Sequence, residues 1–192
     1  MQEEPESHLR ACDPRLAKII EGQDSLWPSL PTEDPVWGLV RIVMAQQVST
    51  QVACAIANRA KSTFPGLAVG DRTALPCVAD LRALGLPERR AICCVEILSK
   101  GHEILDVVKQ DHSWESALAG IKGIGPWTIS TFRIMILRDP DVLPLGDVGL
   151  ERAIRKIYGP TYDILQLAER WKPFRSVACW YLWRTLGNQQ LG

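Results

Sequence analysis

The sequence has no excess of charge of either sign: 22 Lys and Arg stand against 22 Asp and Glu, for a formal net charge of zero over 192 residues. That balance argues against a protein that grips nucleic acid by charge alone, so any hold on a polyanion has to come from local arrangement. No uninterrupted apolar run reaches the roughly 18 residues a membrane-crossing helix needs. The first residues, Met1 to Glu6, are acidic rather than basic and then apolar. The sequence therefore predicts neither secretion nor membrane insertion. Six cysteines (Cys12, Cys54, Cys77, Cys93, Cys94 and Cys179) fall in no paired spacing of the kind a zinc or iron–sulfur site uses. They read as reduced thiols of an intracellular protein. Cys93 and Cys94 are neighbours on a helical stretch and point about 100° apart, which disfavours a shared ligand role or a disulfide.

Strand alternation is also missing, and helical periodicity takes its place, so the fold class predicted is all-α. Asp34-Pro35 pairs a capping side chain with a ring that presets φ, and opens a helix running to about Lys61, where Pro65-Gly66 stops it. A short helix over about Cys77 to Leu84 is followed by the turn Gly85-Leu86-Pro87 and a helix over Glu88 to Lys100 with Ile92, Val95 and Leu98 on its apolar face. Ser113 is placed to cap a helix to Ala119, and Pro126 opens one running to about Arg138. Further helices are predicted over Val148 to Tyr158, after Asp163, and from Pro173 to near Gly187. Before them comes one over Asp13 to Glu21 and a link containing Pro28, Pro31 and Pro35. The predicted organisation is an N-terminal segment 1–34 packed on the C-terminal part, a helical lobe 35–110, and a lobe 111–192.

Ile121-Lys122-Gly123-Ile124-Gly125-Pro126-Trp127-Thr128 is the most informative stretch. Two glycines one residue apart permit a sharp turn and a close approach of backbone to another surface. The helix N-terminus that follows leaves amide N–H groups free, and its dipole together with Lys122 favours an anion such as a phosphate. A plain interhelical turn carries the same glycines. Twenty residues after Trp127 lies Asp147, in Leu143-Pro144-Leu145-Gly146-Asp147-Val148-Gly149-Leu150. An aspartate just before a helix is an ordinary N-cap, a role compatible with chemistry. The nearest rival acids, Asp139 and Asp141, flank Pro140 in what reads as a solvated turn.

This order of motifs resembles the helix-hairpin-helix DNA glycosylase superfamily, whose members carry a Gly-hydrophobic-Gly turn followed after about twenty residues by an essential aspartate. Over roughly Pro35 to Gly187 the chain is similar to the bacterial 3-methyladenine DNA glycosylase II, or AlkA, type. The segments that carry this are Met44-Ala45-Gln46-Gln47-Val48-Ser49, the hairpin, Leu143 to Leu150, and Glu169 to Ser176. The resemblance implies two helical lobes flanking an active-site cleft, here without the family's N-terminal β domain. Damaged double-stranded DNA is then the partner, bound by a monomer in the bacterial nucleoid or the nucleus.

By the same resemblance, Asp147 is the catalytic carboxylate and Trp127 and Trp183, with Trp37, line a base pocket. Lys122, Gly123, Ile124, Gly125 and Thr128 bind the DNA backbone, and a Na⁺ or K⁺ at the hairpin is the one ion expected. Gln46 and Gln47 face the opened duplex. Pro87, Glu88 and Arg89 form the duplex-probing turn, with Arg90 a further phosphate contact. There the family inserts an apolar wedge, a task left here to Leu86 or Pro87 because the matching position reads as Glu88. Relatives that also cut the strand place a lysine two residues after the second glycine, where this chain has Trp127, which implies a monofunctional hydrolase. An alkylated purine is the substrate implied. Deaminated, oxidised or mispaired bases, and a non-catalytic hairpin DNA-binding protein, are the alternatives.

Overall fold

The computed structural model describes residues 4–23, 27, 34–109 and 114–187, with the side chains of residue 50 and residues 107–109 left aside. Among these residues the chain is helical throughout, with no strand. The helices are α1 (Pro5–Cys12), α2 (Pro14–Glu21), α3 (Pro35–Ala45), α4 (Thr50–Thr63), α5 (Val78–Ala83), α6 (Glu88–Ser99), α7 (Gly101–Lys109), α8 (Trp114–Ala119), α9 (Pro126–Met135), α10 (Val148–Tyr158), α11 (Ile164–Trp171) and α12 (Arg175–Arg184), with a 3₁₀ turn at Pro65–Val69. No described helix is long and apolar enough to cross a membrane. Ser113, Pro28 and Pro31 lie outside the described residues.

The chain divides into two compact units, one of residues 1–30 with 133–192 and one of residues 31–132. The division falls within α9, whereas the sequence reading placed one at 110/111. In the second unit α3 packs on α4, α6 and α7, and its face of Val36, Trp37, Leu39, Val40, Val43 and Met44 is buried. The single helix expected from Pro35 to Lys61 is broken in two. Gln47 takes φ 54° and Ser49 Oγ accepts from Val52 N–H, so that α4 starts afresh. On α6 the apolar face differs from the one expected. Ala91, Cys93, Cys94, Ile97 and Leu98 are buried, while Ile92 is exposed and Val95 half-buried.

The first unit is built on α10, α11 and α12, with α2 packed on α12 and α1 on α11 and α12. Two buried carboxylates tie the N-terminal helices down. Asp13 Oδ1 caps α2 through Arg15 N–H (2.9 Å) and Leu16 N–H (3.1 Å), and its Oδ2 accepts from Tyr158 O–H (2.8 Å) and Trp171 Nε1–H (3.0 Å). Burial, then the bond to Asp13, pushes the Tyr158 phenol up from its ordinary range. Glu6 Oε1 accepts from Tyr181 O–H and from the Trp27 amide, each at 3.1 Å. Arg15 lies over the rings of Tyr158 and Tyr162, 5.3 and 5.1 Å from their centroids.

Candidate active site

Asp147 occupies the N-cap of α10 and is 8% exposed, which is low for a carboxylate. Its backbone is extended, its N–H donates to Pro144 O (3.2 Å), and the turn before it is made by Gly146 at φ 78°. One carboxylate oxygen, Oδ1, accepts two hydrogen bonds. The first comes from the Leu150 amide, the capping bond, and the second from the Trp183 indole Nε1–H at 2.9 Å. Trp183 reaches it from α12, which packs on α10, and is itself 8% exposed. Sequence reading had Trp183 only as an aromatic wall. Its polar edge is committed to Asp147. One neighbour went unnoticed: a Cβ on Gly149 would stand 3.1 Å from Asp147 Oδ1 and 3.6 Å from Trp183 Cδ1.

The rival acids in this unit are held by arginines. Arg175 grips Asp141 with Nε on Oδ1 (2.6 Å) and one Nη on Oδ2 (3.0 Å), and the same terminal nitrogen donates to the Asp141 carbonyl (3.0 Å). Burial raises the Asp141 carboxyl, but the bonds and charge of Arg175 outweigh it and hold the group below the ordinary range. Asp139 pairs with Arg133. Ser176 adds a bond from its amide to Pro140 O (2.9 Å), and its Oγ accepts from Val142 N–H (2.8 Å). Asp141 and Ser176 thus fasten the 139–142 connection, which leads to Asp147, onto the start of α12, while Asp139 ties it to Arg133 of α9.

In the second unit the glycine turn is a tight reversal between α8 and α9. Ile121 and Ile124, 2% and 6% exposed, anchor it in the core, while Lys122 and Gly123 face outward. Ile124 N–H donates to Ile121 O (3.0 Å) and Ile129 N–H to Gly125 O (3.1 Å). Gly123 has φ 108°, and a Cβ there would meet Cys93 Sγ at 3.1 Å, so both backbone and packing demand glycine. Gly125 is different. Its φ is not left-handed, and beyond its chain neighbours no described residue lies within 4 Å of where a Cβ would be.

Gln46, at the break between α3 and α4, donates through Nε2 to the Gly123 carbonyl (3.1 Å) and to Thr128 Oγ1 (3.0 Å). Thr128 is 2% exposed. Gln46, half-buried, and Thr128, buried, thus brace the hairpin, their polar groups bonding each other and the turn. Gln47, next in the chain, is exposed. Trp37, expected in the pocket, is 2% exposed and belongs to the core of this unit. Trp127, in the first turn of α9, is half-buried. At the turn before α6, Pro87, Glu88 and Arg89 are exposed and Leu86 is buried at 4%. Arg90 is half-buried, with a guanidinium nitrogen 3.5 Å from Met44 O.

No cluster of three or more His, Cys, Asp or Glu that could hold a metal occurs among the described residues. Burial, then the nearby Glu96, pushes the Cys93 thiol up to about 11, so this sulfur is a packing group rather than a nucleophile.

Helices, a glycine turn braced from behind, and a buried capping aspartate held by an indole are together the architecture of the helix-hairpin-helix DNA glycosylase fold. No family model matches the chain. It is 28% identical over 201 residues to DNA-3-methyladenine glycosylase 1 of Schizosaccharomyces pombe, covering 94% of this chain and 86% of that protein. It is 30% identical over 200 residues to the probable bifunctional transcriptional activator/DNA repair enzyme AlkA of Mycobacterium tuberculosis, covering 95% of this chain but only 40% of that longer protein's length. Among solved structures, the fission-yeast 3-methyladenine DNA glycosylase Mag1 in complex with abasic DNA superposes with a TM-score of 0.78 at 26% identity, over 96% of this chain and 97% of that one. Over nearly its whole length the chain is thus similar, in sequence and in fold, to 3-methyladenine DNA glycosylases.

Proposed function

We propose that the protein is a monofunctional DNA glycosylase of base excision repair that removes alkylated purines such as 3-methyladenine and 7-methylguanine from duplex DNA, in the nucleoid or the nucleus. The observation that carries this reading is the buried Asp147 carboxylate, fixed through Oδ1 and lying beyond a glycine hairpin in the chain order of this superfamily. As the base leaves, positive charge grows on the sugar. A fixed carboxylate stabilises that charge and orients the attacking water. Trp127 stands where strand-cutting relatives carry a lysine, so water rather than an amine takes the sugar carbon.

The target base is rotated out of the stack before cleavage, at a cost lowest for damaged and weakly paired bases. The cationic face of an alkylated purine suits the ring of Trp127. The hairpin positions the duplex through its main-chain amides, with Lys122 beside them. Gly125 supports this: its backbone angle does not call for glycine and no described residue packs where a side chain would stand, which leaves the turn open to close approach. Any cation at the turn would rest on neutral main-chain oxygens, a donor set that suits Na⁺ or K⁺ better than a divalent ion. Gln47, Pro87, Glu88 and Arg89 are exposed and stand as the duplex-facing side chains.

Free-base release from matched duplexes carrying 7-methylguanine, 3-methyladenine, hypoxanthine, 8-oxoguanine or a T·G mismatch tests the substrate. Release of the two alkylated purines well ahead of the others is expected. Release led by one of the other three would move the substrate class. A second expectation concerns the brace. Gln46→Ala removes the donor to Gly123 O and Thr128 Oγ1, and the loss of one net hydrogen bond, about 1.4 kcal/mol, would weaken duplex binding about tenfold. Fluorescence anisotropy reads this directly, and unchanged affinity would remove Gln46 from the binding apparatus.

A further inference from the structure

Gly149 is the second residue of α10, a place where alanine favours the helix and glycine does not. Its backbone gives no reason for glycine, since its φ is not in the left-handed region. Space does. A Cβ built there lies 3.1 Å from Asp147 Oδ1, 3.6 Å from Trp183 Cδ1 and 3.7 Å from Trp183 Nε1. The two indole distances are ordinary van der Waals contact. Only the approach to the carboxylate oxygen is tight, and that oxygen is the one receiving the Leu150 amide and the Trp183 indole N–H.

We propose that Gly149 is a positioning residue for catalysis, whose missing side chain lets Asp147 Oδ1 seat between the Leu150 amide and the Trp183 indole. The proposal rests on the reading of Asp147 as the catalytic carboxylate. A methyl group at 149 has no strain of its own in the helix, so its effect falls on the carboxylate, which has to turn or retreat by a few tenths of an ångström. Electrostatic stabilisation of a developing cation and alignment of a water both depend on sub-ångström placement. Trp183 then acts through Asp147 as well, by fixing the oxygen that Gly149 makes room for.

This predicts an uncommon pairing of effects. Gly149→Ala should leave the melting temperature little changed, since the better helix former offsets the loosened cap at Asp147. It should also leave the Kd for a duplex with an abasic-site mimic unchanged, while slowing single-turnover release of 7-methylguanine at saturating enzyme by about tenfold. A cycle with Trp183→Phe supplies the second readout. If both residues act on the same oxygen, the double variant is little slower than Trp183→Phe alone. A Gly149→Ala rate within twofold of wild type, with Asp147→Asn inactive, would overturn the proposal and leave the role of Asp147 standing. A loss of rate that tracks a fall in melting temperature, or losses that simply multiply in the double variant, would overturn it too. Full turnover by Asp147→Asn would remove both the proposal and the reading beneath it.

Discussion

Asp147→Asn is expected to lower single-turnover base release by at least roughly 10²- to 10³-fold, the range seen when one group stabilising transition-state charge is removed. Almost everything else should stay the same. Asparagine keeps an oxygen of the same size in the same place, and that oxygen still accepts from the Leu150 amide and the Trp183 indole. The N-cap of α10 is thus preserved, since asparagine caps as well as aspartate. What is lost is the negative charge facing the nascent cation, together with the ability to take a proton from water. Melting temperature and affinity for duplex should therefore change little. Turnover within tenfold of wild type would remove Asp147 from the mechanism and leave it as a helix cap.

Asp13→Ala should be the most destabilising of the single substitutions considered, by about 3–5 kcal/mol, because it combines a lost cap with two orphaned buried donors. The carboxylate is 3% exposed and accepts four hydrogen bonds, two from the start of α2 and two from Tyr158 and Trp171. Removing it leaves a phenol O–H and an indole N–H inside the first unit without that acceptor. For a chain of this size the expected fall in melting temperature is roughly 10 °C. Asp13→Asn should lie between, since one oxygen still accepts while the amide N–H₂ faces other donors. Urea unfolding gives the comparison, and a loss below about 1 kcal/mol for the alanine variant would show that these bonds contribute little net stability.

The contrast between these two aspartates bears on what the sequence could reveal. Both precede a helix and both cap it, and nothing local separates them. Asp147 stood out because of its distance from Trp127 and its motif neighbours. Asp13 became significant only when Tyr158 and Trp171 folded onto it from about 150 residues away. Helix α1 was missed for the same reason: its inward face includes Glu6, a carboxylate buried against Tyr181, which no hydrophobic period reports. The starts at Asp34-Pro35, Asp147-Val148 and Asp163-Ile164 were readable because capping chemistry is local.

The break at Gln46 to Ser49 was not readable in that way. It contains neither glycine nor proline, and Gln47 adopts a left-handed φ that its residue type does not announce. That break is what turns Gln46 from a surface side chain into the brace of the hairpin. Cys93 under Gly123 was equally hidden, since a buried thiol looks the same in sequence whatever it packs against. Gly149 did leave a signal, a glycine inside a helical pattern, which commonly marks a packing or functional requirement. Its partner Trp183, 34 residues on, is visible only in the fold.

The central claim is hydrolytic excision of an alkylated purine, and the most direct measurement is strand scission of a duplex holding one 7-methylguanine, incubated with the wild-type protein and analysed with and without brief mild alkali, each lane read against an enzyme-free duplex treated alike. Excision by water leaves an intact strand with an abasic site, so cleavage at the lesion should appear only after alkali. Scission without alkali would mean an amine-type lyase. An uncut strand in both lanes, for this lesion and for 3-methyladenine, would contradict the account.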